Sequence, residues 1–169
     1  MNKKLNIKKL PKKLILQHVN ILDPLKEKIF KGNALIINGK ISGVGKFEQP
    51  ADAKTINCEG LTLTHGFCDL HVHFREPGDE DKETLMSGSR AALSGGFTRV
   101  CTMPNTTPPI DSPESISFII QKSIGCPIHI HPFGAVTQGQ KGKEITEMGL
   151  MHQAGAAAFS DDGLPIQNG

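Results

Sequence analysis

Residues 69–75 read Asp69-Leu70-His71-Val72-His73-Phe74-Arg75. Apolar and polar residues alternate, the pattern of a strand, in which every second residue shares a face. His71 and His73 then point the same way, with Asp69 beside them. Two imidazoles on one face at a strand end can both ligate one Zn²⁺. Leu70, Val72 and Phe74 are expected to pack on the opposite face. Arg75 continues the histidine face just past such a metal, where a guanidinium can hold a carboxylate through two parallel hydrogen bonds. A bare His-x-His is commonly accidental. The apolar interleaving and the strand-end position raise this one above that background.

Two further segments carry groups of the same kind. In Thr102-Met103-Pro104-Asn105-Thr106, Asn105 can hydrogen-bond a carboxylate or an amide, and it equally suits a plain turn. In Phe159-Ser160-Asp161-Asp162-Gly163, a carboxylate can ligate one metal or bridge two, and Asp-Gly also makes an ordinary turn. Ile128-His129-Ile130-His131-Pro132 repeats the His-x-His pattern but is followed by Pro132 and Phe133 rather than charge. Its histidines are read as packing groups or as groups behind a site. His18, His65 and His152 have no chemical partner nearby in sequence.

The elements that must position these groups change character along the chain. Up to about residue 64 the pattern is of short strands and turns: Leu14–Leu22, Asn33–Ile37, Lys40–Val44, Thr55–Cys58 and Leu61–Thr64. Asn38-Gly39 supplies a two-residue hairpin turn. From Gly66 strands alternate with helices. The strands are expected at Phe67–Phe74, Phe97–Met103, Ile128–Phe133 and Ala156–Ser160. The helices are expected at Lys82–Ser94, ended by Gly95-Gly96, at Ser112–Lys122 with Ser112 as cap and Pro113 at its first position, and at Glu144–Ala154.

Such repetition implies a parallel sheet with right-handed crossovers. The chemistry-bearing residues all fall at strand C-terminal ends, where an α/β barrel builds its active site. Four strands are half of an eight-stranded barrel, so the stop at Gly169 is expected to be that of the front part of a longer protein. A half-barrel that dimerises to close its sheet is the other reading.

Composition narrows the classes. Apolar side chains make up 37% of 169 residues, with 18 glycines, which is ordinary for a globular domain and excludes disordered, collagen-like and coiled-coil chains. No apolar run reaches the roughly 18–20 residues of a membrane helix. The net charge of +2 is too small to argue for nucleic acid. It is unevenly spread: residues 1–60 hold 12 lysines against 5 acids, and the remainder 7 bases against 12 acids. Lys3, Lys4, Lys8, Lys9, Lys12 and Lys13 are read as a solvated basic tail, since only Leu14-Ile15-Leu16 follows where a signal peptide needs a longer apolar stretch. Cys58, Cys68, Cys101 and Cys126 show no CxxC spacing and read as reduced, mostly buried thiols of a cytoplasmic protein.

Together these segments resemble the dihydroorotases of the cyclic amidohydrolase group. The likeness rests on Asp69–Gly78, on Lys82-Glu83-Thr84 with Gly95-Gly96-Phe97-Thr98, on Met103–Thr106 and on Phe159–Gly163. It covers about residues 55–169, with a looser match before. The resemblance implies an α/β fold: residues 1–64 as a small β-sandwich segment, then residues 65–169 as the first half of a metal-dependent (β/α)8 TIM barrel, incomplete in this chain.

The resemblance also implies roles. His71, His73 and Asp162 would bind zinc, one or two ions per complete site, with Asp162 as the bridging ligand and Asp161 behind it. His73, Arg75 and Asn105 would face the substrate, Arg75 and Asn105 holding its carboxylate. The reaction implied is the reversible cyclisation of N-carbamoyl-L-aspartate to dihydroorotate in pyrimidine synthesis. The general acid/base Asp and two further His ligands would come from strands beyond Gly169, so the 169 residues alone are expected to be inactive or nearly so. One departure is His65, where the family usually has Pro; it touches the entry turn and no ligand.

A small-molecule substrate is expected, with neither nucleic acid nor membrane as partner. A homodimer or an association with aspartate transcarbamoylase stays open. Two alternatives remain: an allantoinase- or dihydropyrimidinase-like cyclic amidase, and a non-catalytic dihydroorotase-like subunit scaffolding the transcarbamoylase.

Overall fold

The computed structural model describes residues 11–166. Lys3, Lys4, Lys8 and Lys9 of the expected basic tail lie outside them. The chain divides into two compact units, Met1–His65 and Gly66–Gly169.

In the first unit β1 (Lys13–Asp23), β2 (Lys28–Ile37), β3 (Lys40–Gly45), β4 (Lys54–Asn57) and β5 (Thr62–Leu63) share one sheet. β1 pairs antiparallel with β2, and parallel with β4 and then β5. The hairpin between β2 and β3 turns on Asn38 and Gly39, at φ 49° and 76°. A two-residue turn needs both residues there to match the twist of its strands. β1 bulges between Leu16 and Val19, where His18 takes φ 58° and its N–H donates to Asn33 Oδ1 at 3.1 Å. Val19, Ile21 and Cys58 form one buried cluster, with Leu16 and Leu63 against it, and Leu14, Ile15, Ala34 and Leu35 are buried as well. A sandwich needs a second facing layer, and among the described residues of this unit no second sheet is present. The expected β-sandwich is thus represented here by a single sheet.

The second unit is α/β. β6 (Phe67–Val72), β7 (Phe97–Thr102), β8 (His129–Gly134) and β9 (Ala158–Phe159) form a parallel sheet in that order. Between them run α1 (Leu85–Ser94), α2 (Pro113–Lys122) and α3 (Met148–Gln153). Val100, Ile128 and Ile130 meet Leu85, Ile116, Ile119 and Met151 in one buried cluster. The sheet's order is the sequence order, as expected for successive right-handed crossovers. Among the described residues the sheet is open, with β6 and β9 at its edges. No helix among them is long and apolar enough to cross a membrane.

Capping explains the helix starts. Thr84 and Ser112 each accept the N–H of the third helical residue, Ser87 and Ser115, whose hydroxyls accept from the cap backbone in return. Pro113 sits at the first position of α2, where its missing N–H costs nothing. The reciprocal cap puts the first residue of α1 at Leu85, so Lys82 and Glu83 precede the helix. α3 is also shorter than the expected Glu144–Ala154. Ile145 forms a β-bridge with Thr137, and the Thr146 hydroxyl donates to Ala135 O at 2.8 Å, which draws that segment out of the helix.

Two packing expectations need correction. Leu70 is 66% exposed, because it lies on edge strand β6 and no described element covers it, while Phe74 is buried. Cys68, on the same edge, is exposed, and Cys58 and Cys101 are buried; all four cysteines are free.

Candidate metal centre

β6 does not keep strict alternation to its end. Its register with β7 shifts between Asp69 and Val72, and the Asp69 carboxylate accepts the His71 N–H at 3.0 Å. Asp69 lines a groove together with Val72, His73, Phe74 and Gly88 of α1, but it lies outside the group of side chains that could share a metal ion with the imidazoles. His71 ends up 56% exposed and His73, one residue past the strand, 31% exposed.

The two imidazoles converge without Asp69. His71 Nε2 and His73 Nε2 are 3.2 Å apart. Asp162 joins them from β9, the far edge of the sheet: its Oδ1 lies 2.9 Å from His71 Nε2 and 4.0 Å from His73 Nε2. Asp162 sits at φ 57°, and its N–H donates to Ser160 Oγ at 2.9 Å. That local turn swings its carboxylate toward β6.

Asp161 goes the other way. It is 4% exposed, and its Oδ1 accepts the N–H groups of Val136 and Thr137 at 2.8 and 3.1 Å. Its Oδ2 accepts the Thr137 hydroxyl. Three donors satisfy a buried carboxylate and pin the end of β9 to the loop after β8.

Asn105 stands between the histidines and the acid. It follows β7, whose ladder is extended by Met103 N–H donating to Val72 O at 2.9 Å. Its Oδ1 is 2.9 Å from His73 Nδ1, and its Nδ2 donates to Asp162 Oδ2 at 3.0 Å. Sequence reading missed this double link, since the partners lie 32 and 57 residues away and leave no local signal.

Arg75 is half-buried. Among the described residues its guanidinium enters no ion pair, and none of those pairs ties it to the cluster. The loop that carries it is anchored by Glu76, 5% exposed, which accepts the Leu85 N–H at 2.8 Å and meets Lys122 Nζ at 3.2 Å.

His129 and His131 stay apart from the cluster. His131 Nε2 lies 3.4 Å from Arg99 Nη1, and the two imidazoles stack at 6.4 Å. Burial, then the Arg99 charge, then His129 hold His131 below its ordinary value.

Among the described residues His71, His73 and Asp162 form the group that could hold a metal ion. Zn²⁺ bonds of 2.0–2.1 Å at tetrahedral angles place neighbouring ligand atoms about 3.3 Å apart. The observed 2.9, 3.2 and 4.0 Å bracket that spacing, so two imidazole nitrogens and one carboxylate oxygen fit the ion in both number and type.

Comparison with known proteins agrees in fold and family. Two similar curated relatives are dihydroorotases. That of Pelotomaculum thermopropionicum is 44% identical over 156 residues, 92% of this chain and 36% of the relative. That of Aquifex aeolicus is 41% identical over 157 residues, again 92% of this chain and 37% of the relative. The chain thus spans about a third of the length of the relatives it matches. Among solved structures, an L-hydantoinase (dihydropyrimidinase) from Arthrobacter aurescens superposes with a TM-score of 0.71 at 21% identity, covering 89% of this chain and 34% of that one. A D-hydantoinase (dihydropyrimidinase) from Thermus sp. gives 0.63 at 25% identity, covering 83% and 30%. The family model described as dihydro-orotase-like matches residues 60–169, a stretch that holds the whole His71–His73–Asp162 cluster, and the chain belongs to that family.

Proposed function

We propose that this chain is the metal-binding front portion of a zinc-dependent dihydroorotase, which interconverts N-carbamoyl-L-aspartate and dihydroorotate in pyrimidine biosynthesis. The observation that carries the reading is the convergence of His71, His73 and Asp162 from opposite edges of one parallel sheet within a dihydro-orotase-like match.

Three protein donors with an open side are the arrangement of a catalytic rather than a structural zinc site. Zinc held there supplies Lewis acidity and lowers the pKa of bound water. The chain's own residues do the rest. His71, His73 and Asp162 hold the ion at the strand ends. Asn105 accepts the His73 Nδ1–H, so that Nε2 keeps its lone pair toward the ion. Arg75 projects from the next loop position and holds the substrate carboxylate by a charge-assisted fork, with an N–H of Asn105 as second donor. The proton-handling acid and the remaining ligands belong to the rest of a longer protein, as does closure of the sheet into a (β/α)8 barrel. The setting proposed is cytoplasmic, with a small acid as substrate and a homodimer or an aspartate transcarbamoylase association left open.

The test is made on the full-length protein. Metal content is measured, and turnover of N-carbamoyl-L-aspartate is compared with that of hydantoin and dihydrouracil, which lack the carboxylate. The expected result is bound zinc and preference for the acid, with Arg75→Ala raising KM for N-carbamoyl-L-aspartate at least tenfold. Preference for the uncharged rings, or an unchanged KM, would point to the hydantoinase-like alternative. Absence of bound metal would leave the scaffolding-subunit reading.

A further inference from the structure

We infer that Asn105 is a positioning residue of the metal centre: its one amide sets the ring state of His73 and clamps Asp162 before any substrate arrives. This rests on the metal-binding reading above and goes beyond the substrate-holding role that the resemblance implies.

The geometry leaves little freedom. A carboxylate can only accept hydrogen bonds. The group 3.0 Å from Asp162 Oδ2 must therefore be the Asn105 NH₂, which turns Asn105 Oδ1 toward His73 Nδ1 at 2.9 Å. A carbonyl oxygen also only accepts, so His73 must carry its proton on Nδ1. Its Nε2 is then the bare nitrogen, and that is the atom 3.2 Å from His71 Nε2 and 4.0 Å from Asp162 Oδ1. One side chain after β7 thereby couples a ligand past the end of β6 to a ligand past the end of β9, with Asp162 Oδ1 turned toward the histidines, 2.9 Å from His71 Nε2. Groups that hold the far nitrogen of a ligating histidine raise metal affinity by fixing its tautomer and orientation. Asn105 keeps a second amide N–H, so holding a substrate carboxylate is compatible with this role.

The experiment uses the full-length protein without substrate. Zinc affinity is measured by competition with a chromophoric chelator for the wild type and for Asn105→Ala, and the wild-type metal-free protein is examined by nitrogen-15 NMR of the imidazoles. The expected results are a roughly 10–100-fold loss of zinc affinity in the variant, and a His73 ring protonated at Nδ1 in the wild type. Zinc affinity within threefold of wild type, with only KM raised, would overturn the inference and leave Asn105 a substrate group. A His73 ring protonated at Nε2 would overturn it as well, whether or not the variant folds. Wild-type protein that binds no zinc would sink the metal reading itself, a result distinct from either of these.

Discussion

Asp161 and Asp162 are adjacent in the chain and face opposite surroundings. Asp161 is buried among three donors from the loop after β8, while Asp162 reaches His71 at 2.9 Å. The reversal is set by the left-handed backbone of Asp162, φ 57°, which Asp tolerates better than most residues. On the metal-binding reading proposed above, the two carboxylates would separate stability from metal binding. Asp161→Ala should cost about 3 kcal/mol, because buried donors are left without an acceptor. Asp162→Ala should change stability of the metal-free protein by less than about 1 kcal/mol yet abolish tight zinc binding. Urea unfolding with and without chelator reads both; equal losses of stability in the two variants would contradict the division.

Glu76 joins the start of α1 to the end of α2. Its buried carboxylate accepts the Leu85 N–H, one of the orphan donors at a helix start, and meets Lys122, whose side chain is 54% exposed. Glu76→Ala should cost about 2–3 kcal/mol through the unsatisfied helix end. Lys122→Met should cost under about 1 kcal/mol, since a pair open to water on one side is weak. Denaturant melts of both variants decide the matter, and a larger loss for Lys122→Met would show that the ion pair dominates.

Gly88 makes room for Phe74, which sits between His73 and Arg75. A Cβ at position 88 would fall 2.4 Å from Phe74 Cε1. Alanine favours a helix by up to about 1 kcal/mol over glycine, but overpacking a filled site costs about 1–3 kcal/mol. Gly88→Ala should therefore lower Tm despite the better helix former, and should weaken zinc binding by moving the histidine strand end. A raised Tm would show that Phe74 can turn aside freely.

His131 makes stability depend on pH. Burial and the Arg99 charge hold its folded-state pKa below the ordinary 6.5, so below that value the unfolded chain takes a proton that the folded chain resists. The stabilising contribution is full above pH 6.5 and is lost as pH falls through the lowered folded value. Unfolding free energies at pH 7.5 and 5.5 should show a drop that Arg99→Gln reduces and His131→Gln removes. An identical drop in wild type and His131→Gln would place the effect elsewhere.

Much of both units was legible in the sequence because the signals are local. The Ser112-Pro113 start of α2, the Gly95-Gly96 stop of α1 and the Asn38-Gly39 hairpin each depend on backbone geometry within a few residues, and each stands where the pattern put it. The start of α1 was misread because its own Thr84–Ser87 cap sets it at Leu85, and α3 was read too long because Thr146 engages Ala135 outside the helix. Asp69, which alternation sets beside the histidines, lies outside the metal-capable group. Strict alternation holds only while a strand keeps its register, and β6 shifts before its end.

The sequence by itself determined which residue types stand at the strand ends, and so which chemistry is available: two imidazoles, an amide, a guanidinium and two carboxylates. Local spacing alone was enough to pair His71 with His73. The resemblance already sets Asp162 before Asp161 as the ligand; the tertiary structure shows Asp162 meeting the histidines across the sheet and Asn105 spanning the gap. Those contacts join residues 32 to 91 positions apart, and no local period encodes them. They exist because parallel crossovers bring the C-terminal ends of successive strands to the same end of the sheet.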